Sequence, residues 1–255
     1  MNDKELLGSE TAKGGFRNEE DIIHKFNNWK KDKFAQEWLV IMGYILKDID
    51  YVKAVKITGN YKTDVQVQVT IKLRDAIDCE NLSVKLVSNT QGFNQVDKRE
   101  IKKYVEMWNI PKDIEEMLMF FTGKKKPQRA KRLADSRRRL LTEISKEDQT
   151  KIINFFDKNK ILVISDILKG RDKFTADWML VILKKDEQSY KWALKDINTV
   201  MNLFSQGDVR ITEQGSLKIG QIGMQRKGGD AGRESAKMLQ FKINPCLLFE
   251  DDKDA

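Results

Sequence analysis

The segment DVQVQVTIKL, residues 64–73, puts valine, isoleucine or leucine at every second position, with glutamine, threonine or lysine between. A two-residue period cannot lie on one face of a helix, and β-branched residues favour the pleated surface. The segment therefore predicts a strand with one apolar and one polar face. VKAVKI just before it alternates too, and NLSVKLVSN follows at residues 81–89 with Leu82, Val84, Leu86 and Val87. Three strands this close in sequence predict an antiparallel meander. One face of such a sheet must be covered, and the flanking sequence offers helices for that.

NEEDIIHKFNNW carries Ile22, Ile23, Phe26 and Trp29 at helical spacing, with Asn18 as its N-cap, and KFAQEWLVIMGYIL reads as a more buried helix. After the meander, VDKREIKKYVEMW and PKDIEEMLMFF read as helices, the second with Pro111 at its first position. SKEDQTKIINFF opens on Ser145 and Asp148 in the manner of a capping box. ILVIS, DWMLVIL and YKWAL read as strands, DINTVMNLF as a helix, and VRIT, LKIGQIGMQ and MLQFKIN as closing strands around glycine-rich bends. The chain is thus α/β, with a largely mixed or antiparallel sheet. No phosphate-loop motif of the G-x-x-x-x-G-K-[ST] type is present.

At 255 residues there is room for one large domain or two small ones; a single domain over 1–255 is expected. No run approaches a membrane span, the first residues lack an apolar signal segment, and Cys79 and Cys246 make no disulfide framework. A cytoplasmic location without a membrane partner is the expectation. The one histidine, His24, lies away from the apolar stripe of its helix and reads as solvated. It cannot supply a two-histidine zinc site, so catalysis would rest on carboxylates, lysine and a metal.

Charge is concentrated. Residues 123–139, GKKKPQRAKRLADSRRR, hold nine basic residues and one acid, which equals the whole chain's net +8. Such a segment suits a polyanion, because cations on phosphates release counterions. A solvated loop or a contact to an acidic surface has the same composition.

Asp64 begins one strand, and Ser83, Val84 and Lys85 follow on the next. A hairpin brings Asp64 beside them, and residues two apart put Ser83 and Lys85 on one face. Mg²⁺ prefers oxygen ligands, here the Asp64 carboxylate and the Val84 carbonyl, and a lysine beside it orients water and offsets transition-state charge. That spacing alone also describes many ordinary strand faces. Downstream, VSNTQGFNQVDKRE and MQRKGGDAGRE are rich in amide and basic side chains of the kind that read base edges. Phe93, after Gly92, fits either a wedge between base pairs or a core anchor.

VKLVSN, GFNQVDK and QRKGGDAGRESAKMLQFKI together resemble the HinP-type type II restriction endonucleases, which cut GCGC; CCGG-cutting enzymes are more distantly similar. The resemblance runs from GSETAKGGFRNEEDI to MLQFKINP. It implies the PD-(D/E)XK fold, a central mixed sheet flanked by helices, with Mg²⁺ as cofactor and double-stranded DNA as substrate. It implies cleavage after the first G of GCGC, leaving a two-base 5′ overhang, in a monomer or homodimer with a cognate DNA methyltransferase in the same system. Asp64 then matches the metal-binding acid, Lys85 the catalytic lysine, and Glu19 a glutamate near the N-terminus. Phe93, Gln95 and Lys98 (segment 88–99) and Gln225, Arg226 and Lys227 (segment 223–233) match the base-reading groups. Position 83 departs from the pattern: most members of the superfamily carry an acid there, the nearest relatives a glutamine, and this chain a serine. Ser83 acts through a water or packs passively, or else the scaffold binds DNA without cutting it. A basic RNA-binding or scaffold protein is a second rival reading.

Overall fold

The computed structural model describes residues 18–59, 61–71, 77–127, 134–171, 173–184, 190–229 and 233–249. These form two compact units. One comprises the chain to Gly92, Leu168–Val200 and the end from Asn244; the other comprises Phe93–Ile167 and Met201–Ile243.

The first unit is built on the meander. Strands β1 (Ile49–Lys56), β2 (Val65–Ile71) and β3 (Ile77–Val87) are joined by β5 (Trp178–Lys184) and β6 (Tyr190–Asp196) in the order β1-β2-β3-β5-β6. All pairs are antiparallel except β3 with β5, so the expected mixed sheet is present. Val65, Val67 and Val69 are fully buried, with Leu82, Val84, Leu180 and Ile182 on the same face. Helices α1 (18–27) and α2 (Lys33–Ile41) supply Ile22, Phe26, Trp29, Trp38 and Leu39 to that core. At about 25 cal/mol per Å² of buried apolar surface, this packing is the main force holding α1 and α2 to the sheet. The short helical segment Pro245–Phe249 packs against β3, β5 and β6.

Three expectations shift here. Asn18 is already helical rather than a cap. The second helix ends at Ile41, because Gly43 adopts φ +92°, a backbone that side chains resist. The turn of the β2–β3 hairpin, residues 72–76, lies outside the described residues.

The second unit holds a sheet that the sequence did not announce as separate, ordered β4-β10-β9-β8-β7 and wholly antiparallel. Its strands are β4 (Asn94–Arg99), β7 (Val209–Ile211), β8 (Leu217–Ile219), β9 (Ile222–Arg226) and β10 (Leu239–Ile243). Helices α3 (Ile101–Trp108), α4 (Lys112–Thr122), α5 (Lys146–Lys158) and α6 (Lys160–Leu168) accompany it; α7 (Ile197–Ser205) follows β6. Tyr104 and Trp108 of α3 meet Phe241 of β10 at centroid distances of 5.2 and 5.6 Å. Ser145 caps α5 by accepting from the Asp148 N–H, as its sequence predicts. Pro111 caps α4 from one residue outside it.

Two corrections concern this unit. VDKRE, expected to begin a helix, belongs largely to β4, and α3 starts only at Ile101. ILVIS, expected as a strand, lies in α6: Val163, Ile164, Ile167 and Leu168 are buried while Ile161 and Leu162 face solvent, a helical stripe.

Candidate active site and polar sheet face

Asp64 sits one residue before β2 and is held from both sides. Its N–H donates to the Leu82 carbonyl at 2.8 Å, and its own carbonyl accepts from the Ile57 N–H at 3.1 Å. The buried Thr63 hydroxyl donates to the Phe174 carbonyl at 2.6 Å and fixes the approach to Asp64. The register Val65↔Leu82 sets Asp64 opposite Ser83. Cross-strand partners share a face, so Asp64, Ser83 and Lys85 project on the side opposite Val65, Leu82 and Val84.

The side chains converge. Asp64 Oδ2 accepts from the Val84 N–H at 2.6 Å and from Lys85 Nζ at 3.3 Å, with the Ser83 hydroxyl at 3.5 Å. Lys85 Nζ also donates to Ser83 Oγ at 2.8 Å and to the Val84 carbonyl at 3.1 Å. One ammonium group is therefore ringed by a carboxylate, a hydroxyl and a carbonyl oxygen. Oxygen atoms that hold an ammonium in this way form a donor set suited to a hard cation, though one with a single carboxylate. Among the described residues no group of three or more histidine, cysteine or acidic side chains gathers to hold a metal, here or elsewhere. The side chains of Lys85 and Asp64 are 15% and 27% exposed, so the pair is shielded but reachable.

Glu19 makes an ion pair of its own. Its carboxylate is 2.7 Å from Lys56 Nζ, and Lys56 pairs with Val65 on the α1 side of the sheet. Lys56 immediately precedes Ile57, which holds the Asp64 carbonyl.

The second unit carries the other expected residues. In β4 a register shift between Phe241 and Lys242 of β10 skips Val96, so Gln95 lies opposite Lys242 and Lys98 opposite Gln240. This bulge puts Gln95 and Lys98, three residues apart, on one face. Gln225 lies opposite Gln240 and joins them. GFNQVDK is thus mostly strand. Phe93, just before it, is 60% exposed, which favours the surface side of its two readings.

Register extends this face beyond the residues singled out by sequence. One row runs Gln225, Gln240, Lys98, and a second runs Arg210, Lys218, Gly223, Lys242, Gln95 across all five strands. The Lys242 ammonium is pushed below its usual range by burial and by the neighbouring Lys227 charge. The opposite face is apolar, with Leu217, Met224, Leu239 and Phe241 fully buried.

Arg226 falls on that opposite face, across from Leu239. Its Nε donates to the Ala236 carbonyl at 2.9 Å, and its side chain is only 10% exposed. Adjacent strand residues point to opposite sides, so Gln225 and Arg226 do not share a target. Lys227 lies just past β9, its N–H donating to the Met238 carbonyl.

This is the architecture of a restriction endonuclease. The chain is similar to a solved structure of the restriction endonuclease MspI in complex with its cognate DNA: TM-score 0.62, 13% identity, over 88% of this chain and 87% of that one. The likeness concerns the fold. The model of the R.HinP1I restriction endonuclease family matches residues 42–249, and the chain belongs to that family. It is a type II enzyme, a site-specific DNA nuclease. Among curated proteins none matches it. The matched range includes Asp64, Ser83, Lys85 and the polar sheet face, and leaves out Glu19. No helix among the described residues is long and apolar enough to cross a membrane.

Proposed function

We propose that the chain hydrolyses double-stranded DNA with Mg²⁺ as cofactor, at GCGC, cutting after the first G to leave a two-base 5′ overhang. The observation that carries the chemistry is the ring of Asp64, Ser83 and Val84 oxygens around the Lys85 ammonium. The choice of GCGC rests on the resemblance of GFNQVDK and QRKGGDAGRESAKMLQFKI to the GCGC-cutting enzymes.

Asp64 Oδ and the Val84 carbonyl would hold Mg²⁺, which supplies Lewis acidity toward the scissile phosphate and the attacking water. Lys85 brings its ammonium to that water and to the charge that builds on the phosphoryl oxygens during in-line attack. Ser83 holds the lysine head, directly or through a water. The Thr63, Leu82 and Ile57 contacts keep Asp64 in place, so little reorganisation is needed at the moment of reaction. Glu19 acts at one remove, as a positioning residue, through Lys56.

Base reading falls to the polar sheet face. Gln95, Lys98 and Gln225 offer amide and ammonium groups suited to purine edges, and Phe93 is placed to wedge beside them. Gln240 and Lys242 belong to the same rows. Lys227 contributes at the end of β9. We read both units as one nuclease domain, working as a monomer or homodimer in the bacterial cytoplasm, beside a methyltransferase that protects host GCGC sites.

Run-off sequencing of plasmid ends made with Mg²⁺ tests this reading. Ends at GCGC with two-base 5′ overhangs are expected. The missing second carboxylate at Ser83 favours one rival, a scaffold that binds without cutting. Plasmid left supercoiled despite tight binding would establish that rival.

A further inference from the structure

A cavity of about 560 Å³ lies within the second unit, apart from the polar sheet face, and its charge is lopsided. Six cations line it, Lys124, Lys126, Arg137, Arg138, Arg226 and Lys237, against the single carboxylate of Asp135. That carboxylate works as an organiser. It takes Arg137 in a fork, Nε at 2.9 Å and Nη2 at 3.1 Å, and Arg138 Nε at 3.1 Å, while Arg226 Nη1 stands 3.9 Å away. Three guanidinium groups are thereby held around one carboxylate, each with N–H donors left over. Two of the lysines are fixed as well: Lys124 between Glu100 and Glu234, at 3.3 and 2.9 Å, and Lys237 on Glu234 at 2.6 Å.

Like charges gathered at this density repel unless an anion joins them. Burial and the facing charges of Arg137 and Arg138 push Arg226 below the usual arginine range. Since an arginine stays protonated at any ordinary pH, that repulsion persists in the free protein and is relieved by a bound anion. The floor is open to one. Gly228 and Gly229 both adopt φ +62°, and a Cβ added at either meets nothing within 4 Å.

We propose that this cavity is a phosphate site, which takes one backbone phosphate of the bound DNA and reads no base. The source of the phosphate rests on the nuclease reading; the site itself does not. Arg226, grouped by sequence with the base-reading residues, is reassigned to it because β9 turns it away from Gln225. The basic segment gains a specific role through its described ends, 123–127 and 134–139.

The test compares wild type, Arg137→Gln/Arg138→Gln and Arg138→Lys. Binding to GCGC and scrambled duplexes is titrated across salt in Ca²⁺, and melting is followed with inorganic phosphate. The double Gln variant should lose about tenfold in affinity for both duplexes alike, and its log–log salt slope should fall by about one, as loss of one phosphate contact dictates. Arg138→Lys, which keeps the charge, should keep the slope, and so separates charge from folding damage. One neutral methylphosphonate linkage in the duplex should cost wild type the same tenfold and the double variant nothing more. Unchanged DNA slopes with phosphate raising the melting point of wild type alone would move the ligand from DNA to free phosphate and overturn the DNA assignment. No change in either readout, or a change in sequence preference, overturns the site. Wild type that responds to phosphate yet binds neither duplex would defeat the nuclease reading and leave the anion site standing.

Discussion

Replacing Lys85 by methionine keeps an unbranched side chain one atom shorter and removes its charge, and the geometry makes opposite predictions for metal affinity and for rate. In the free protein the ammonium group bonds to Asp64 Oδ2, Ser83 Oγ and the Val84 carbonyl at 3.3, 2.8 and 3.1 Å. Two of these, Asp64 Oδ2 and the Val84 carbonyl, are the oxygens a Mg²⁺ ion would use, so Lys85 would compete with the ion in the ground state and assist the reaction in the transition state. A charged hydrogen bond contributes about 1.5–3 kcal/mol net in a buried setting. With the pair partly exposed and Asp64 still holding the Val84 N–H, the stability lost should be about 1–2 kcal/mol, well inside a typical total of about 5–15 kcal/mol. The variant stays folded. Mg²⁺ or Ca²⁺ affinity, by calorimetry on protein alone, should hold steady or rise.

Cleavage should behave otherwise. Removing one preorganised electrostatic group from a transition state costs about 10²–10³ in rate, or about 2.7–4 kcal/mol. Single-turnover cutting of a GCGC duplex under saturating Mg²⁺ should fall by at least that factor, with duplex binding unchanged. Cutting within about threefold of wild type would remove Lys85 from the chemistry. A weaker metal affinity in the variant would show that the lysine supports the cation and does not compete with it.

Further outcomes follow from neighbouring contacts. Ser83→Ala should keep single-turnover cutting within about tenfold, since Lys85 retains Asp64 and the Val84 carbonyl; Ser83→Glu should lower the Mg²⁺ concentration needed for half-maximal cutting by adding a carboxylate. Gly223→Val should leave the urea midpoint at or slightly above wild type, because the site is a strand interior with only the Lys242 carbonyl near, at 3.8 Å. The same change puts a branched side chain in the middle of the polar face, and GCGC cutting should drop at least tenfold if that face reads bases. Tyr104→Phe removes the phenol that donates to buried Asp97 and should cost about 1.5–3 kcal/mol in urea unfolding. Burial and the Asp97 charge also raise the Tyr104 pKa far above the usual tyrosine value. Its stabilising contribution is therefore complete below pH about 10 and is lost above it, by about 1.4 kcal/mol per pH unit. Wild type should show that alkaline slope by chemical denaturation, and Tyr104→Phe should show less of it.

The convergence of Asp64, Ser83 and Lys85 was legible because it depends on local rules. Alternation over DVQVQVTIKL and NLSVKLVSN fixes which side chains share a face, and a hairpin is the shortest way to bring Asp64 back to Ser83. The α6 segment was misread because KILVISDIL is apolar and β-branched, and a short run of that kind suits strand or helix equally. Its burial at positions 163, 164, 167 and 168, with 161 and 162 exposed, is decided by what packs against it. Glu19 was legible only as a position in the chain: that its carboxylate pairs with Lys56 of β1 is decided by how α1 packs on the sheet.

The polar face of the second sheet was partly legible, and what the sequence left out has two separate causes. Lys242, Lys218 and Arg210 sit on three strands remote in sequence from Gln95 and Lys98, so only the register of the second sheet unites them, while Gln240 beside them is buried and donates to the Arg226 and Lys227 carbonyls. Nothing local in those strands marks them out. Arg226 is different, because parity alone could have corrected it. A strand that ends in Gln225 and Arg226 sends one side chain to each face, so both cannot read the same base pair. Arg226 instead shares the Asp135 carboxylate, 3.9 Å away, with Arg137 and Arg138, and this excess of guanidinium charge is the setting of the anion site proposed above. Strand parity and charge repulsion thus support the same proposal from independent premises: Gln225 lies on the polar face of the sheet, and Arg226 lies on the other, beside the proposed anion site.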